Sequence, residues 1–240
     1  MKKFRKVLAL TLCAAALVGA SVMGTMAYLT DNDEVTNTFT VGNVDITLDE
    51  AKVDKDGKAI TSVGAERVDS NEYHLLPGGE YDKDPTVTVI EGSENAYVRM
   101  LVKVTNYSNL KAAFPKEKYT TLYNNDDFLL QHLVNGWDAD TWKSTGKISV
   151  ENDIATYEFR YNGKVSGPTD NNDNNVNGTA LDSLFDTIVI PGTVNNTELA
   201  NLKNVQIKVE AHAIQADGFT AKDGKTAEDV AWETFDGQNK

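Results

Sequence analysis

Cysteine is almost absent from this sequence, and so are the common catalytic motifs. Cys13 is the single cysteine among 240 residues. A disulfide framework and a zinc site built from cysteine thiolates are therefore excluded. The phosphate-binding loops G-x-G-x-x-G and G-x-x-x-x-G-K do not occur, and neither do the serine-hydrolase elbow G-x-S-x-G and the zinc-protease motif H-E-x-x-H. The residues thus offer no catalytic pattern, which favours a protein that is not an enzyme.

Basic residues are also scarce, with 23 Lys and Arg against 36 Asp and Glu, a formal net charge of −13. Four of them lie in the first 27 residues, which contain no acids: Lys2, Lys3, Arg5 and Lys6. If that segment is removed, the 23 basic residues less these four leave 19 against 36 acids, a charge of −17. So acidic a surface repels phosphate backbones and anionic lipids, which argues against nucleic acid and membrane surfaces as partners.

The first 27 residues have the three parts of an export signal. A basic region at 2–6 is followed by an apolar stretch at 7–22 and by small residues at Thr25 and Ala27. This pattern predicts cleavage between Ala27 and Tyr28. The alternative is a retained membrane anchor, but the apolar stretch is shorter than the ~20 residues that usually span a bilayer. We therefore expect a secreted, cysteine-free domain comprising residues 28–240.

Most of this domain has the alternating pattern of short β-strands. The 35–48 segment alternates with a change of phase across Gly42-Asn43, which suits a bulge. Further segments with period-two patterns or flanking turn residues are 86–90, 96–107, 154–161, 183–190 and 205–215. Many short strands with few helices predict an all-β fold, an antiparallel two-sheet sandwich.

Helices and long loops account for the rest. The 126–134 segment predicts a short helix, and a second is expected at 226–235, where Thr226 and Asp229 form a capping pair. The charged 49–72 segment is expected to be an exposed hairpin or long loop. Residues 162–180, rich in Asn, Asp and Gly, predict another long loop.

This second loop contains a possible calcium site. Oxygen-bearing residues alternate at Asp173, Asn175 and Asn177 before Gly178, as in the first half of a calcium-binding loop. The twelfth position is Leu184 rather than Glu, so another acid would have to close the site: Asp170, Asp182 or Asp186. The alternative is a solvated polar loop.

The three histidines are isolated in the sequence. His74, His132 and His212 form no short-spaced pair. They could still converge on zinc in the folded chain. The alternative is that each has an ordinary structural position, on a turn, a helix and a strand respectively.

The expected new N-terminus is the most informative segment. Two apolar residues, Tyr28 and Leu29, precede a polar stretch and the strand predicted at 35–41. One interpretation is a frayed chain end. The other is an unpaired strand that completes a β-sheet in another copy, where backbone hydrogen bonds and alternate apolar side chains would hold it. Such a head-to-tail contact does not close and produces a filament.

Several segments carry a resemblance to a known family. The export signal with MAYLTDNDEVTNTFTVGNVDITLDE after it, the turn Leu76-Pro77-Gly78, and the strands AYVRMLVKV and VQIKVEAHAIQADGF resemble the TasA/camelysin family of Gram-positive surface proteins. The likeness is most specific at 20–50.

This resemblance implies a jelly-roll domain that is secreted into the biofilm matrix and forms fibres there. It also implies cleavage after Ala27 by the signal peptidase SipW, and a donor segment from Tyr28 to Val41. The implied partners are further copies of the chain, SipW during export, and an anchoring or accessory protein. The donor's apolar side chains would be Tyr28, Leu29, Val35, Phe39 and Val41.

One branch of the family was named as a metalloprotease, camelysin. A cell-surface metalloprotease is therefore the alternative function, although H-E-x-x-H is absent. We expect no cofactor, and of the two ions considered the sequence favours calcium over zinc.

Overall fold

A computed structural model describes residues 30–32, 44–123, 133–167 and 178–238. The strands of this part of the chain are β1 Thr30–Asn32, β2 Ile46–Ala51, β3 Arg67–Val68, β4 Glu80–Asp82, β5 Thr86–Ile90, β6 Ala96–Thr105, β7 Val134–Asn135, β8 Trp142–Glu151, β9 Ile154–Tyr161, β10 Gly178–Ala180, β11 Thr187–Val189 and β12 Gln206–Gln215. The α-helices are α1 Tyr107–Ala113, α2 Asn196–Asn201 and α3 Ala227–Gln238, with 3₁₀ turns at Thr120–Tyr123 and Leu202–Asn204.

The prediction of an all-β fold is confirmed. Within the described ranges, antiparallel pairs build three sheets, with strand orders β1-β12-β6-β9-β8, β10-β5-β2-β3 and β4-β11-β7. The five-stranded sheet is the largest of these, and its long strands β6 and β12 pair along their whole length.

One hydrophobic core joins the three sheets, and β6 lies near its centre. Val98, Met100, Val102 and Val104 alternate along β6 and are fully buried in this core. Tyr97 points to the other face, where a second apolar cluster forms beneath α3. Both faces of β6 are covered at its N-terminal end. For this reason the residues from Ala96 to Val102 are almost all apolar and do not alternate strictly with polar residues.

The turn between β8 and β9 also supports α1. Asn152 and Asp153 both have left-handed backbone conformations, with φ of 50° and 63°, as tight hairpin turns require. Asp153 accepts hydrogen bonds from the backbone N–H and the hydroxyl of Ser108, at 2.8 and 2.7 Å. These bonds lower the pKa of Asp153 and satisfy a donor at the start of α1.

The charged segment at 49–72 is held more firmly than an exposed loop requires. Glu50 and Lys83 form a buried ion pair, and Asn71 donates to the second carboxylate oxygen of Glu50 at 2.9 Å. Arg67 bridges Asp49 and Asp84. The segment is thus an ordered loop that follows β2 and pairs with it again through β3.

Some predicted boundaries were wrong. The strand predicted at 96–107 ends at Thr105, since Asn106 is left-handed and begins the turn into α1. The helix predicted at 126–134 was wrong at its last residue, because Val134 begins the strand β7. Residues 124–132 lie outside the described part of the chain. The loop predicted at 162–180 ends in a strand, β10. In the strand predicted at 183–190, only Thr187–Val189 pairs.

Candidate functional site

The N-terminal strand lies on one edge of the five-stranded sheet. Thr30, Asp31 and Asn32 pair antiparallel with Ile214, Ala213 and His212 of β12. The chain therefore runs along β12 from its C-terminal end towards Gln206. Within the chain, this edge therefore holds three residues of the segment that is predicted to be the donor.

The same edge continues beyond the paired residues. Among the described residues, no strand pairs with the outer side of β12 from Gln206 to Ala211. The core-facing row of β12 is fully buried at Ala211 and Ala213 but only half-buried at Ile207 and Val209. A sheet edge with backbone groups and partly exposed apolar side chains is suited to receiving another strand.

Helix α3 covers the outer face of the sheet near β1. A buried arginine of the sheet, Arg99, contacts this helix. Arg99 of β6 is 3% exposed and lies over the rings of Trp232 and Phe235, at 4.5 and 5.0 Å from their centroids. Its guanidinium donates to both carboxylate oxygens of Asp236, at 2.6 and 3.2 Å. The cation is thus desolvated by two aromatic rings and compensated by a bidentate acid.

His212 completes this group from the neighbouring strand. Its Nδ1 accepts a hydrogen bond from Nε of Arg99 at 3.2 Å, and its ring stacks on Phe235 at 5.0 Å between centroids. Burial is the main cause that lowers the pKa of His212 to about 4, and the positive charges of Arg99 and Lys103 lower it further, while Asp236 raises it. The histidine is therefore neutral at pH 7 and serves as an acceptor.

The beginning of α3 is fixed by the capping pair that the sequence predicted. Thr226 accepts from the backbone of Asp229 at 3.1 Å, and its own N–H and hydroxyl donate to the Asp229 carboxylate at 3.1 and 2.7 Å. Arg160 of β9 donates to the same carboxylate at 2.8 Å. These hydrogen bonds, that of the Thr226 hydroxyl first, lower the pKa of Asp229. Both ends of α3 are consequently tied to the sheet by an arginine and an aspartate.

All of the side chains predicted for assembly and processing lie outside the described part of the chain: Ala27, Tyr28, Leu29, Val35, Phe39 and Val41. Three of the predicted calcium ligands lie outside it as well: Asp173, Asn175 and Asn177. For all of these residues the sequence-based expectations stay predictions.

The described end of the calcium loop has a structural role. Asp182 is exposed, and its carbonyl oxygen accepts from the indole N–H of Trp142 at 2.9 Å. Leu184, at the position where a closing Glu would stand, is fully buried in the main core. Its apolar character is thus explained by packing.

The histidines have separate surroundings in the described residues. His74 is exposed, whereas His212 is half-buried beneath α3; His132 lies outside the described ranges. No group of three His, Cys, Asp or Glu side chains that could hold a metal ion occurs in the part searched.

Sequence reasoning did not identify Arg99, Trp232 and Phe235 as parts of a site. Arg99 stands in the predicted core strand, where one charged residue between apolar ones is expected to face solvent. The aromatic spacing of α3 was visible at Trp232 and Phe235, three residues apart on one helical face. That signal predicts a buried face but not its partner.

Within the described residues, no helix is long and apolar enough to cross a membrane. No family model matches the sequence, and neither a curated protein nor a solved structure matches it. Function is therefore inferred from the residues and from the geometry of the sheet edge.

Proposed function

We propose that this chain is a secreted structural protein that self-assembles into extracellular biofilm-matrix filaments. The N-terminal strand of one copy would complete the five-stranded sheet of the next. The observation that carries the proposal is the antiparallel pairing of Thr30–Asn32 with His212–Ile214 at an edge that continues to Gln206. The proposal includes the jelly-roll sandwich of the family that the sequence resembles.

The part of the intramolecular pairing that the structure describes is short, and the proposal requires that it can be exchanged. The described β1 has three residues, and each backbone hydrogen bond contributes about 0.5–1.5 kcal/mol net. The same backbone groups of β12 can bind the equivalent strand of another copy with the same geometry, as in domain swapping. At high protein concentration the intermolecular arrangement then competes with the intramolecular one.

A donor longer than the three described residues of β1 would make contacts further along β12. Ile207 and Val209 are half-buried on the core-facing row of β12. A donor comprising Tyr28 to Val41, extended along β12 towards Gln206, would cover these two side chains. Burial of apolar surface contributes about 25 cal/mol per Å², which favours the longer contact.

The proposed contact is open-ended. The donor is the N-terminal segment and the acceptor is the β12 edge, so each copy carries one of each, and the two surfaces differ. A heterologous contact of this kind grows a filament when its rotation does not close a ring. Removal of the leader after Ala27 by SipW would free the donor, so that assembly begins outside the cell. An anchoring or accessory protein would then occupy one end.

Truncation of the donor tests the proposal. We expect the chain of residues 28–240 to form filaments in electron micrographs and the chain of residues 35–240 to remain a folded monomer. Circular dichroism confirms folding, and sedimentation velocity gives the association state. In a matched control, residues 28–34 are replaced by glycine and serine of equal number, which retains chain length but removes the side chains. Filament growth by the truncated chain at the wild-type rate would refute the donor-strand mechanism.

A further inference from the structure

One row of residues crosses the whole five-stranded sheet and ends at the N-terminal strand. Successive cross-strand partners place Asn32 opposite His212, His212 opposite Arg99, Arg99 opposite Arg160, and Arg160 opposite Lys143. Directly paired residues project to the same face of a sheet. Three cationic residues, Arg99, Arg160 and Lys143, therefore lie in one row on the same face of the sheet.

Helix α3 lies over this row and carries the matching acids. Asp229, in its first turn, binds Arg160 at 2.8 Å, and Asp236, two turns later, binds Arg99 at 2.6 Å. Arg160 and Arg99 are on the adjacent strands β9 and β6. The helix therefore runs across the strands, and its C-terminal end lies towards β12 and the edge that accepts β1.

The residues that receive the strand are also the residues that α3 covers. His212 stacks on Phe235, and Ile214 is buried in the cluster formed with Trp232 and Phe235. These two residues of β12 pair with Asn32 and Thr30, the ends of the described β1. In this short part of β12, one face packs on α3, and the edge pairs with β1.

We infer that α3 is part of the strand-accepting site: through Phe235, and through Asp236 on Arg99, it holds β12 in the extended form that a donor strand pairs with. The inference rests on the proposed function, since the strand in question is the proposed donor. An edge that is already ordered binds a strand without the entropic cost of ordering itself. Helix docking and strand binding are then positively coupled, and each strengthens the other by the same factor.

Two variants that each remove one negative charge from α3 distinguish this coupling from a general effect of the helix charge on β12. D236N weakens the contact with Arg99, and it preserves folding because the Asp236 side chain is 52% exposed. E233Q is the matched control, as it removes one charge from the same helix but affects only the exposed ion pair with Lys225. Phe235→Leu is a second test variant, which keeps an apolar side chain but loses the ring that stacks on His212.

Amide hydrogen exchange of the monomeric chain 28–240 gives the readout. We expect D236N to accelerate exchange in the 206–215 segment about fivefold, as for the loss of one charge-assisted hydrogen bond, and E233Q to leave it unchanged. By reciprocity, the 35–240 chain should exchange faster at 227–238 by a similar factor. Equal exchange in D236N and E233Q overturns the inference.

The two proposals fail in different ways. Exchange is measured on the monomer, so it reports the coupling between helix and strand whether or not filaments grow. Wild-type chains that never polymerise count against the proposed function, whereas filaments combined with identical exchange in D236N and E233Q count against the role of α3 alone.

Discussion

Acidification from pH 6.5 to 4 is expected to destabilise the folded chain through one histidine. The His212 ring stacks on Phe235 and accepts a hydrogen bond from Arg99, so the fold holds the neutral form. Burial, then Arg99 and Lys103, lower the pKa of His212 to about 4, against the opposing effect of Asp236. The unfolded chain binds the proton at an ordinary pKa of 6.5. The contribution of His212 is therefore fully present above pH 6.5 and is lost as the pH falls to 4.

The magnitude follows from the two pKa values. The difference between 6.5 and about 4 corresponds to about 3 kcal/mol of unfolding free energy. That is a large share of the ~5–15 kcal/mol that stabilises a typical domain. The pKa of Asp229 is lowered, so this carboxylate loses its contribution as the pH falls below its unfolded value of 3.8, which is below this window.

Urea unfolding at successive pH values, followed by tryptophan fluorescence, measures the effect. His212→Asn keeps an oxygen that can accept from Arg99 but does not titrate, so its unfolding free energy should depend much less on pH between 6.5 and 4 than that of the wild type. His74→Asn is the control, because His74 is exposed, and it should retain the wild-type slope. An equal pH slope in wild type and His212→Asn would refute the reasoning.

Two further variants test the packing. Trp232 is fully buried between α3 and the sheet. Trp232→Ala should therefore reduce the unfolding free energy, measured by urea titration, by about 3–5 kcal/mol. A loss below about 1 kcal/mol would show that α3 does not pack on the sheet as described. Lys83→Met should cost about 3–5 kcal/mol, because it leaves the buried carboxylate of Glu50 without a counter-charge. The double variant Lys83→Met/Glu50→Leu should recover most of that stability, and an additive further loss would contradict this account.

Local patterns predicted the elements whose own residues specify them. Thr86–Ile90 and Ile154–Tyr161 are strands at their predicted bounds, and Gln206–Gln215 differs by one residue. Each of these strands has one face in a core, so the alternation of apolar side chains is strong. The start of α3 was likewise predicted, because Thr226 and Asp229 form the cap by themselves.

Elements with weaker local patterns were missed or were predicted without bounds, as for the strand that Trp137 and Trp142 were expected to start or cover. The strand Trp142–Glu151 lies at the edge of its sheet and is mostly exposed, so it lacks alternation. The short helices α1 and α2 are bound by residues distant in sequence: Asp153 accepts from Ser108 of α1, and Lys118 and Tyr119 donate to Glu198 of α2. Nevertheless, α2 had a signal that could have been read, since Asn195 and Glu198 form a capping box with reciprocal hydrogen bonds at 2.9 Å.

The sequence by itself determined the export signal pattern, the acidity, the scarcity of cysteine and the all-β class, because each depends on composition or on local periodicity. Only the tertiary structure decided that β12 is the edge that receives Thr30–Asn32 and that Arg99 is buried under α3. Strand order and the docking of a helix depend on contacts between residues more than 100 positions apart, as between Arg99 and Asp236. Such contacts form only where the folded backbone brings the partners together, so local sequence patterns do not predict them.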